Sequence, residues 1–561
     1  MRTAFLFLVP VLIIAACSEK PKPAPTKAEE AQAIAEVFET KVDYTVHHLD
    51  STEVFAFLAG HTDAHGDSAV ILDFYKRRGY QYAWFVNDSL SAAAGNLLGL
   101  MRMDSLVGAS KADYEQARDL VQAFQSGDTV VVSKEQLRDA ELALTAQFFH
   151  FADKSYGGFV QRDVRDLDWF IPRRKKDLHQ LLDSLAAGRM DLSAYEPVHP
   201  QYQALKEQLK RYYGIQHNGP WGEVALEKKK TYAYGDSAAA VVLLRDHLYR
   251  LGDLAANDSS ARFDSTLVMG VRSFQHRFGQ KENGVVDAVF VRELNVPLEE
   301  RIRQILVNME RLRWVNPTPP KDMILVNIPE YRLHVYEGGK EAWDMNVVVG
   351  ATATRTAIFT GDLSLVVMAP YWNVPQSIIR SEILPAVKRN VGYLAKKEME
   401  VVKGGTVVPA SSIDWSKYSK GVPFTIRQKA GKQNALGQVK FLFPNEYSIY
   451  LHDTPSKSEF TADKPAFSHG CIRLSDPPKL ADYLLRNDST WTPAKIKEAM
   501  NGTKEVTVKL AAPMPVVLGY FTAWVDEQGQ LNFRDDVYGN DAKLAAELFV
   551  TSEDVAQAAN N

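Results

Sequence analysis

Cysteine is the scarcest residue of this sequence, with 2 in 561 residues, Cys17 and Cys471. Two thiols exclude a fold held together by several disulfide bonds. An excess of charge is missing too: 65 basic and 69 acidic residues give a formal charge of -4. That balance argues against a nucleic-acid binder, whose affinity comes from a strongly basic surface. The length exceeds what one hydrophobic core can organise, so two to four domains are expected.

The N-terminus has the features of an export signal. Arg2 precedes an apolar run from Phe5 to Ile14, which is too short to span a bilayer. Ile14-Ala-Ala-Cys17 resembles a bacterial lipobox, which implies a cleaved signal peptide over 1–17 and a lipid on Cys17. Residues 18–36 are rich in Lys, Pro and Glu and predict a flexible tether. We therefore expect an exported protein anchored by lipid in a bacterial cell envelope; the alternative is an ordinary signal peptide with an incidental cysteine.

The pattern predicts an α+β multidomain chain whose N-terminal part is helical. Apolar residues recur at helical spacing in Ala69–Tyr75 and Leu137–Phe151, so residues 37–232 are predicted to form a helical scaffold. A small helical bundle is predicted over 233–298, where two periodic segments alternate with glycine-containing turns. A helix from Arg301 to Trp314 follows.

After Asn316-Pro-Thr-Pro-Pro320 the period changes to short alternating β-branched segments, which predicts a β-rich domain over 320–509. Its polar, lysine-rich stretch at about 378–432 indicates an inserted lid, or else a solvated face without a role. Val439–Phe443 and Tyr447–Leu451 are predicted to be strands, and 510–561 a C-terminal extension.

The chemistry concentrates in Tyr450-Leu-His-Asp-Thr454 and Ala466-Phe-Ser-His-Gly-Cys-Ile-Arg-Leu474. A thiol with a pKa of about 8.5 needs a neighbouring imidazole or positive potential to attack an amide at neutral pH. His452 is the candidate base for Cys471, and Asp453 is the candidate group that orients it, by side chain or carbonyl. Gly470 permits a positive φ, so the amides around Gly470 and Cys471 can form an oxyanion hole. An inert buried cysteine is the alternative.

His452, fifteen intervening residues and Ser468-His-Gly-Cys-Ile-Arg473 resemble the signature of the L,D-transpeptidase (YkuD-like) catalytic domain. Supporting stretches resemble the large subgroup with a helical scaffold and an inserted lid: Val326–Leu333, Ala369–Pro375, Asn434–Gly437 and Tyr520–Trp524. Arg355-Thr-Ala-Ile-Phe359 departs from the subgroup, which usually has Thr-Pro there. Between 233 and 298, Val271–Gly279 and Asn283–Asp287 resemble a peptidoglycan-binding module.

The resemblance implies acyl transfer between peptidoglycan stem peptides, with a Cys471 thioester and a 3-3 cross-link as product. Its partners would be a donor tetrapeptide and an acceptor amine, with the membrane reached through the N-terminal lipid; no metal or organic cofactor is implied. His469, Arg473 and Ser468 are candidate substrate-binding residues, and Tyr450 and Trp372 candidate cleft walls. Each of these has a structural alternative, and the oligomeric state stays open.

Three other functions remain open at this point. Water as acceptor would make the protein an L,D-carboxypeptidase, and the lysine of another exported protein would make it an enzyme that anchors proteins to the wall. A zinc peptidase would use His452, His469 and Cys471 as ligands. A non-catalytic peptidoglycan-binding lipoprotein would have a decayed site.

Overall fold

The computed structural model describes residues 47–549 except 62–66, 87, 105–110, 126–131, 161, 174–175, 190, 193 and 227–228. The predicted signal peptide, Cys17 and the tether lie outside the described residues. Among the described helices, none is long and apolar enough to cross a membrane.

Seven helices and one short hairpin form the N-terminal region. Two of the helices begin with reciprocal capping boxes, Asp50 with Glu53 and Ser133 with Gln136, which satisfy free N–H groups of the first turn. The elements are α1 (Ser51–Gly60), α2 (Ser68–Arg77), β1 (Phe85–Val86), β2 (Ser89–Leu90), α3 (Ala92–Asp104), α4 (Lys111–Gln125), α5 (Lys134–Gly157), α6 (His179–Ala186) and α7 (Pro200–His217). The helical prediction for this region is confirmed.

A buried carboxylate links α2, α5 and the segment before β1. Glu141 is fully buried and accepts hydrogen bonds from the amides of Ala83 (2.6 Å) and Trp84 (2.9 Å) and from the Tyr75 hydroxyl (2.9 Å). Burial raises the pKa of Glu141 to about 7, and these hydrogen bonds oppose that rise.

The next module has three helices, α8 (Ala239–Leu251), α9 (Ser265–Arg277) and α10 (Ala288–Leu294). Asp264 and Asp287 cap the second and third helices with their side chains. Phe274, Phe278 and Phe290 stack in the module's interior, so the aromatics of the predicted bundle are core residues.

Helix α11 (Leu298–Trp314) connects the helical half of the chain to the sheet. Its Glu310 is fully buried and accepts hydrogen bonds from the Val160 amide (3.2 Å), Arg313 Nη1 (2.9 Å) and Trp314 Nε1 (3.1 Å). The same Arg313 donates to the Ser155 carbonyl and the Tyr202 hydroxyl, so one ion pair holds three elements together.

A nine-stranded mixed sheet makes up the β-rich domain. Its strands are β3 (Met323–Asn327), β4 (Arg332–Glu337), β5 (Lys340–Gly350), β6 (Thr360–Met368), β11 (Val439–Leu442), β12 (Leu451–His452), β13 (Ala466–Ser468), β14 (Ile472–Leu474) and β15 (Val506–Gly519). They follow the order β13-β5-β14-β12-β11-β6-β15-β3-β4, and β5 pairs with β4 as well.

The insertion is a small unit with its own apolar core. Four strands form a separate sheet in the order β7-β10-β8-β9, and Ile378, Ile383, Val401, Trp415 and Ile426 lie buried beneath it. Its elements are β7 (Trp372–Asn373), α12 (Gln376–Ile378), a π-helical turn (Ile379–Ile383), α13 (Leu384–Arg389), α14 (Gly392–Lys396), β8 (Met399–Lys403), β9 (Thr406–Val408) and β10 (Thr425–Gln428). We call this unit the lid.

The remaining elements follow β14. Helices α15 (Pro477–Leu485) and α16 (Pro493–Met500) pack on the sheet before β15, and β16 (Ala523–Val525), β17 (Leu531–Phe533) and α17 (Asn540–Leu548) come after it.

Two of the predicted bounds differ from the structure. The boundary at 509 falls inside β15, which continues to Gly519 because its second half pairs with β3 and β6 in the middle of the sheet. The predicted strand Tyr447–Leu451 is wrong: the strand begins at Leu451, because the Asn445 side chain accepts from the amides of Tyr447 (3.0 Å) and Ile449 (3.1 Å) and folds that stretch into a turn.

The helical region also contributes to the core of the sheet. Trp169 forms a parallel bridge with Ile358, and the side chains of Val160, Val164, Leu167, Trp169 and Ile171 belong to the same buried cluster as the strands. The cores of the predicted scaffold and β-rich domain are therefore partly shared.

Candidate active site

Two neighbouring parallel strands bring the predicted nucleophile and base to one face of the sheet. Leu451 pairs with Ile472, and His452 pairs with Arg473. Because side chains alternate along a strand, Tyr450 and His452 share a face with Cys471 and Arg473. By the same register Cys471 lies opposite Tyr450, so His452 is two residues further along the neighbouring strand, on the same face.

The imidazole of His452 is buried and held in one tautomer. Its Nδ1 donates to the carbonyl of Asp453 at 2.5 Å, which leaves Nε2 as the proton acceptor. Burial lowers the pKa of His452 to about 4, the nearby Arg473 guanidinium lowers it further, and the Asp453 carbonyl opposes the change. The ring is therefore neutral at pH 7 and able to take up a proton.

Asp453 was predicted to orient the base by its side chain or its carbonyl, and in the structure the carbonyl makes this contact. The carboxylate is directed elsewhere: it accepts from the amides of Gln438 (2.8 Å) and Thr454 (2.7 Å) and pairs with Lys457 (2.7 Å). The carboxylate fixes the turn before β11, and the main chain orients the imidazole.

The Cys471 thiol is partly exposed and uncharged. Its Sγ donates to the Ser448 carbonyl at 3.6 Å, and the Tyr450 phenol lies beside it. Burial raises the pKa of Cys471 to about 11, while contacts with Tyr450 and the charge of Arg473 oppose that rise. The thiol does not hydrogen bond to His452 in this resting arrangement, so a rotation of the Cys471 side chain has to bring Sγ to Nε2.

The loop before Cys471 depends on a positive φ at Gly470. That residue has φ +110°, a conformation that side-chain-bearing residues rarely adopt. Its amide donates to Ser468 Oγ at 3.1 Å, and the same hydroxyl donates to the Cys471 carbonyl at 2.5 Å. The Gly470 amide and the Ser468 hydroxyl, predicted to be an oxyanion donor and a substrate-binding group, thus each have a partner within the loop, and both roles stay predictions.

The amide of Cys471 is the other predicted oxyanion donor. Within the described part of the chain it donates to no acceptor, whereas the next amide, that of Ile472, donates to the Tyr450 carbonyl at 3.1 Å. Its position directly at the nucleophile is the one that an oxyanion donor needs.

The other candidate residues differ in how accessible they are. His469 is half-exposed and lies 3.2 Å from Glu382 of the lid. Arg473 pairs with Glu459 and is mostly covered, yet its charge affects both His452 and Cys471. Tyr450 is half-buried beside the thiol, and Trp372 is half-buried against the lid core. Contacts thus place Tyr450 and Arg473 at the nucleophile and His469 at the boundary with the lid.

Sequence reasoning missed the turn that supports this loop. Thr354 Oγ1 donates to the Ser468 carbonyl and Thr356 Oγ1 to the Gly470 carbonyl, both at 2.8 Å. The threonine-rich stretch 351–356 directly after Gly350 was the available signal, but its partner lies 114 residues away along the chain.

In the described chain, three residues of types that can bind a metal ion lie close together on β4 and β5. His334, Glu341 and Asp344 offer atoms within 4.8 Å of one another; His334 also contacts Glu330 at 3.0 Å, and Asp344 pairs with Arg332. The three ligands of the zinc-peptidase alternative do not converge in this way, since His469 faces the lid and His452 faces Asp453.

A large cleft in the described chain is separate from the nucleophile. This cleft of about 2270 Å³ lies between the three-helix module and the outer strands, and it is lined by residues such as Asn283, Arg292, His334, Trp343 and Trp524. Neither Cys471 nor His452 lines it.

Three family models match separate parts of the chain. Residues 321–507 match the L,D-transpeptidase catalytic domain (YkuD), residues 69–209 the scaffold domain, and residues 237–294 the "Putative peptidoglycan binding domain". A Haemophilus influenzae protein named "Putative L,D-transpeptidase" is 34% identical over 243 residues, which cover 43% of this chain and 49% of the relative. The match thus spans about half the length of that relative.

Two solved structures of L,D-transpeptidases are among those with similarity to this chain. One from Mycobacterium smegmatis is 14% identical, with 36% of this chain and 58% of that chain covered and a TM-score of 0.18. One from Stackebrandtia nassauensis is 13% identical, with 52% and 95% covered and a TM-score of 0.21. At TM-scores this low, the structural similarity supports no conclusion about this chain. The chain thus combines a segment that matches the L,D-transpeptidase catalytic domain (YkuD) with segments that match a scaffold domain and a peptidoglycan-binding domain.

Proposed function

We propose that this protein is a cysteine L,D-transpeptidase that forms 3-3 cross-links between peptidoglycan stem peptides. The observation that carries the proposal is the pairing of Leu451 with Ile472, which puts Cys471 beside a neutral imidazole whose Nε2 is free to accept a proton.

The first step acylates the enzyme. Sγ of Cys471 attacks the carbonyl carbon between the third residue of a tetrapeptide stem and its terminal D-Ala, and the thiol proton passes to Nε2 of His452. The Cys471 amide stabilises the negative oxygen that develops. The C–N bond then breaks, His452 returns the proton to the leaving amine, and a thioester remains.

The second step transfers the acyl group. The side-chain amine of another stem's diamino acid attacks the thioester carbonyl, loses its proton to His452, and the C–S bond breaks as the thiol is restored. An acyl bond is conserved throughout, so no nucleotide is needed. Exposed cations on the lid, Lys388, Arg389, Lys396 and Lys397 among them, suit a polymer that carries carboxylates.

Both the Cys471 thiol and the His452 imidazole are neutral before substrate binds, and this limits how the nucleophile can be activated. With pKa values of about 11 for the thiol and about 4 for the imidazole, proton transfer has to accompany attack on the substrate instead of preceding it. The Arg473 charge favours the thiolate as the reaction begins, because it opposes the rise in pKa that burial causes.

Product analysis tests the proposal. Purified protein is incubated with disaccharide-tetrapeptides, and the products are weighed by mass spectrometry alongside Cys471→Ala and His452→Ala. We expect cross-linked dimers and free D-Ala from the unaltered protein, and neither product above background from Cys471→Ala. Tripeptides without dimers would instead establish an L,D-carboxypeptidase, and inhibition by a metal chelator would favour the zinc-peptidase alternative.

The proposed place of action is the cell envelope, with the lipid on Cys17 as anchor. The peptidoglycan-binding domain at 237–294 supports an envelope location. Labelling with a radioactive fatty acid tests the anchor, since Cys17→Ala should abolish incorporation.

A further inference from the structure

A buried tyrosine from the C-terminal segment supports the turn behind the nucleophile loop. The Tyr538 hydroxyl donates to the Gly350 carbonyl at 2.6 Å and accepts from the Thr356 amide at 3.3 Å. Both Tyr538 and Thr356 are almost fully buried. A Cβ at Gly350 would lie 2.2 Å from the Thr354 carbonyl oxygen, so the turn closes tightly on itself and requires glycine at this position.

The turn at residues 350–356 holds the loop that carries Cys471. The Ala351 amide donates to the Ser468 carbonyl at 2.9 Å, and Thr356 Oγ1, which accepts from the Gly350 amide at 2.9 Å, donates to the Gly470 carbonyl at 2.8 Å. Tyr538 therefore affects the loop indirectly, because it helps to fix the position of Thr356.

The geometry of the peptide bond connects this contact to catalysis. The Gly470 carbonyl and the Cys471 amide belong to one planar trans peptide, so their C=O and N–H vectors point in opposite directions. A hydroxyl that fixes the carbonyl on one side consequently fixes the direction of the N–H on the other. In this site that N–H is the oxyanion donor left without an internal acceptor among the described residues.

Tyr538 is itself held in place. Its amide donates to the Tyr520 hydroxyl at 2.8 Å, and that hydroxyl donates to Asp536 Oδ1 at 2.6 Å. The Asp536 carboxylate also accepts from the amides of Asn540 and Asp541, at 2.8 and 3.0 Å, at the start of α17. The C-terminal segment is thereby fixed on the sheet at the position where its tyrosine reaches Gly350.

We propose that Tyr538 is a positioning residue that aims the Cys471 amide at the developing oxyanion, although it lies outside the matched catalytic segment 321–507. The inference rests on the proposed function, since it needs an acyl-transfer step with an oxyanion. Removing the hydroxyl leaves the Gly350 carbonyl and the Thr356 amide without their partner and frees Thr356 to move.

The test compares three variants with the unaltered full chain. Tyr538→Phe removes the supporting hydroxyl, Thr356→Val removes the hydroxyl that holds Gly470, and Thr356→Ser keeps that hydroxyl. Tyr331→Phe is the matched control, because the Tyr331 phenol packs against the same core and has no hydrogen-bond partner among the described residues. Rates of D-Ala release from disaccharide-tetrapeptides are measured for each, together with alkylation of Cys471 by iodoacetamide, which involves no oxyanion.

We expect Tyr538→Phe and Thr356→Val to lower kcat by about 10- to 100-fold, less than the full loss of an oxyanion donor. KM and the alkylation rate should stay within about twofold, and Thr356→Ser and Tyr331→Phe should retain the original kcat. An unchanged kcat in Tyr538→Phe would overturn the inference, as would parallel losses of kcat, alkylation and thermal stability. Absence of D-Ala release from the unaltered protein would instead overturn the proposed function, and the inference with it.

Discussion

Burial determines the charge state of both reacting side chains. It raises the pKa of the Cys471 thiol and lowers that of the His452 imidazole, so each group is neutral before substrate arrives. In the proposed mechanism the thiol proton therefore moves to His452 as the sulfur attacks. A neutral thiol is also less open to oxidation, since the thiolate is the reactive form.

The pH dependence of alkylation follows from these pKa values. Because only the thiolate reacts and the pKa of Cys471 is about 11, its rate with iodoacetamide should rise roughly tenfold per unit between about pH 6 and pH 9. Mass spectrometry of the Cys471 peptide measures the rate, and Cys471→Ser is the control that lacks the thiol. A plateau below about pH 8 would contradict this expectation and indicate a preformed thiolate–imidazolium pair.

At the scale of elements, the lid is an appendage joined to the sheet at one narrow base. Trp372 pairs with Gln428 and Asn373 with Arg427, so the two ends of the insertion lie side by side. Its interior cluster is distinct from that of the large sheet. Between lid and nucleophile loop, the half-exposed side chains of His469 and Glu382 lie 3.2 Å apart, and a surface contact of this kind adds little to stability.

Removal of the lid should therefore lower turnover without unfolding the sheet. Replacing residues 374–426 by a short Gly/Ser linker should leave the sheet folded and Cys471 open to alkylation, while D-Ala release falls at least about tenfold because the stem loses a wall that positions it. Glu382→Gln in the full chain is the control and should keep release within about twofold. Release at the original rate from the excised protein would show that the lid has no part in substrate positioning.

Local patterns in the sequence were sufficient for most helices and for the nucleophile loop. Apolar spacing predicted the helices that contain Ile71 and Leu144, and the short motif around Cys471 carried the resemblance to the family. The strand predicted at Tyr447 failed because the Asn445 side chain competes with strand pairing for the local amides. The role of Tyr538 could not be predicted, since its partner Gly350 is 188 residues away and hydrophobic periodicity holds no information on such a contact.

For the molecule as a whole, α11 is the element through which the helical half and the sheet are coupled. Its Glu310 and Arg313 form a fully buried ion pair that also satisfies the Val160 amide, and Val160 belongs to the core of the sheet. A buried pair of this kind is costly to break, because the remaining charge has no partner and no water.

Loss of Glu310 should consequently destabilise both halves. Glu310→Ala is expected to lower the free energy of unfolding by about 3–5 kcal/mol, because Arg313 is left charged and buried. Glu300→Ala, on the exposed first turn of the same helix, should change it by no more than about 0.5 kcal/mol. Urea unfolding followed by tryptophan fluorescence measures both, and equal midpoints for the two variants would contradict the expected coupling.

The placement of β15 has a consequence for the order in which the enzyme is made. This strand lies between β6 and β3, yet it begins 138 residues after β6 ends and 183 residues after β3 begins. A nascent chain therefore carries the complete Cys471 loop before the sheet beneath it can close. On the proposed function, truncated products that end before β15 should therefore release no D-Ala.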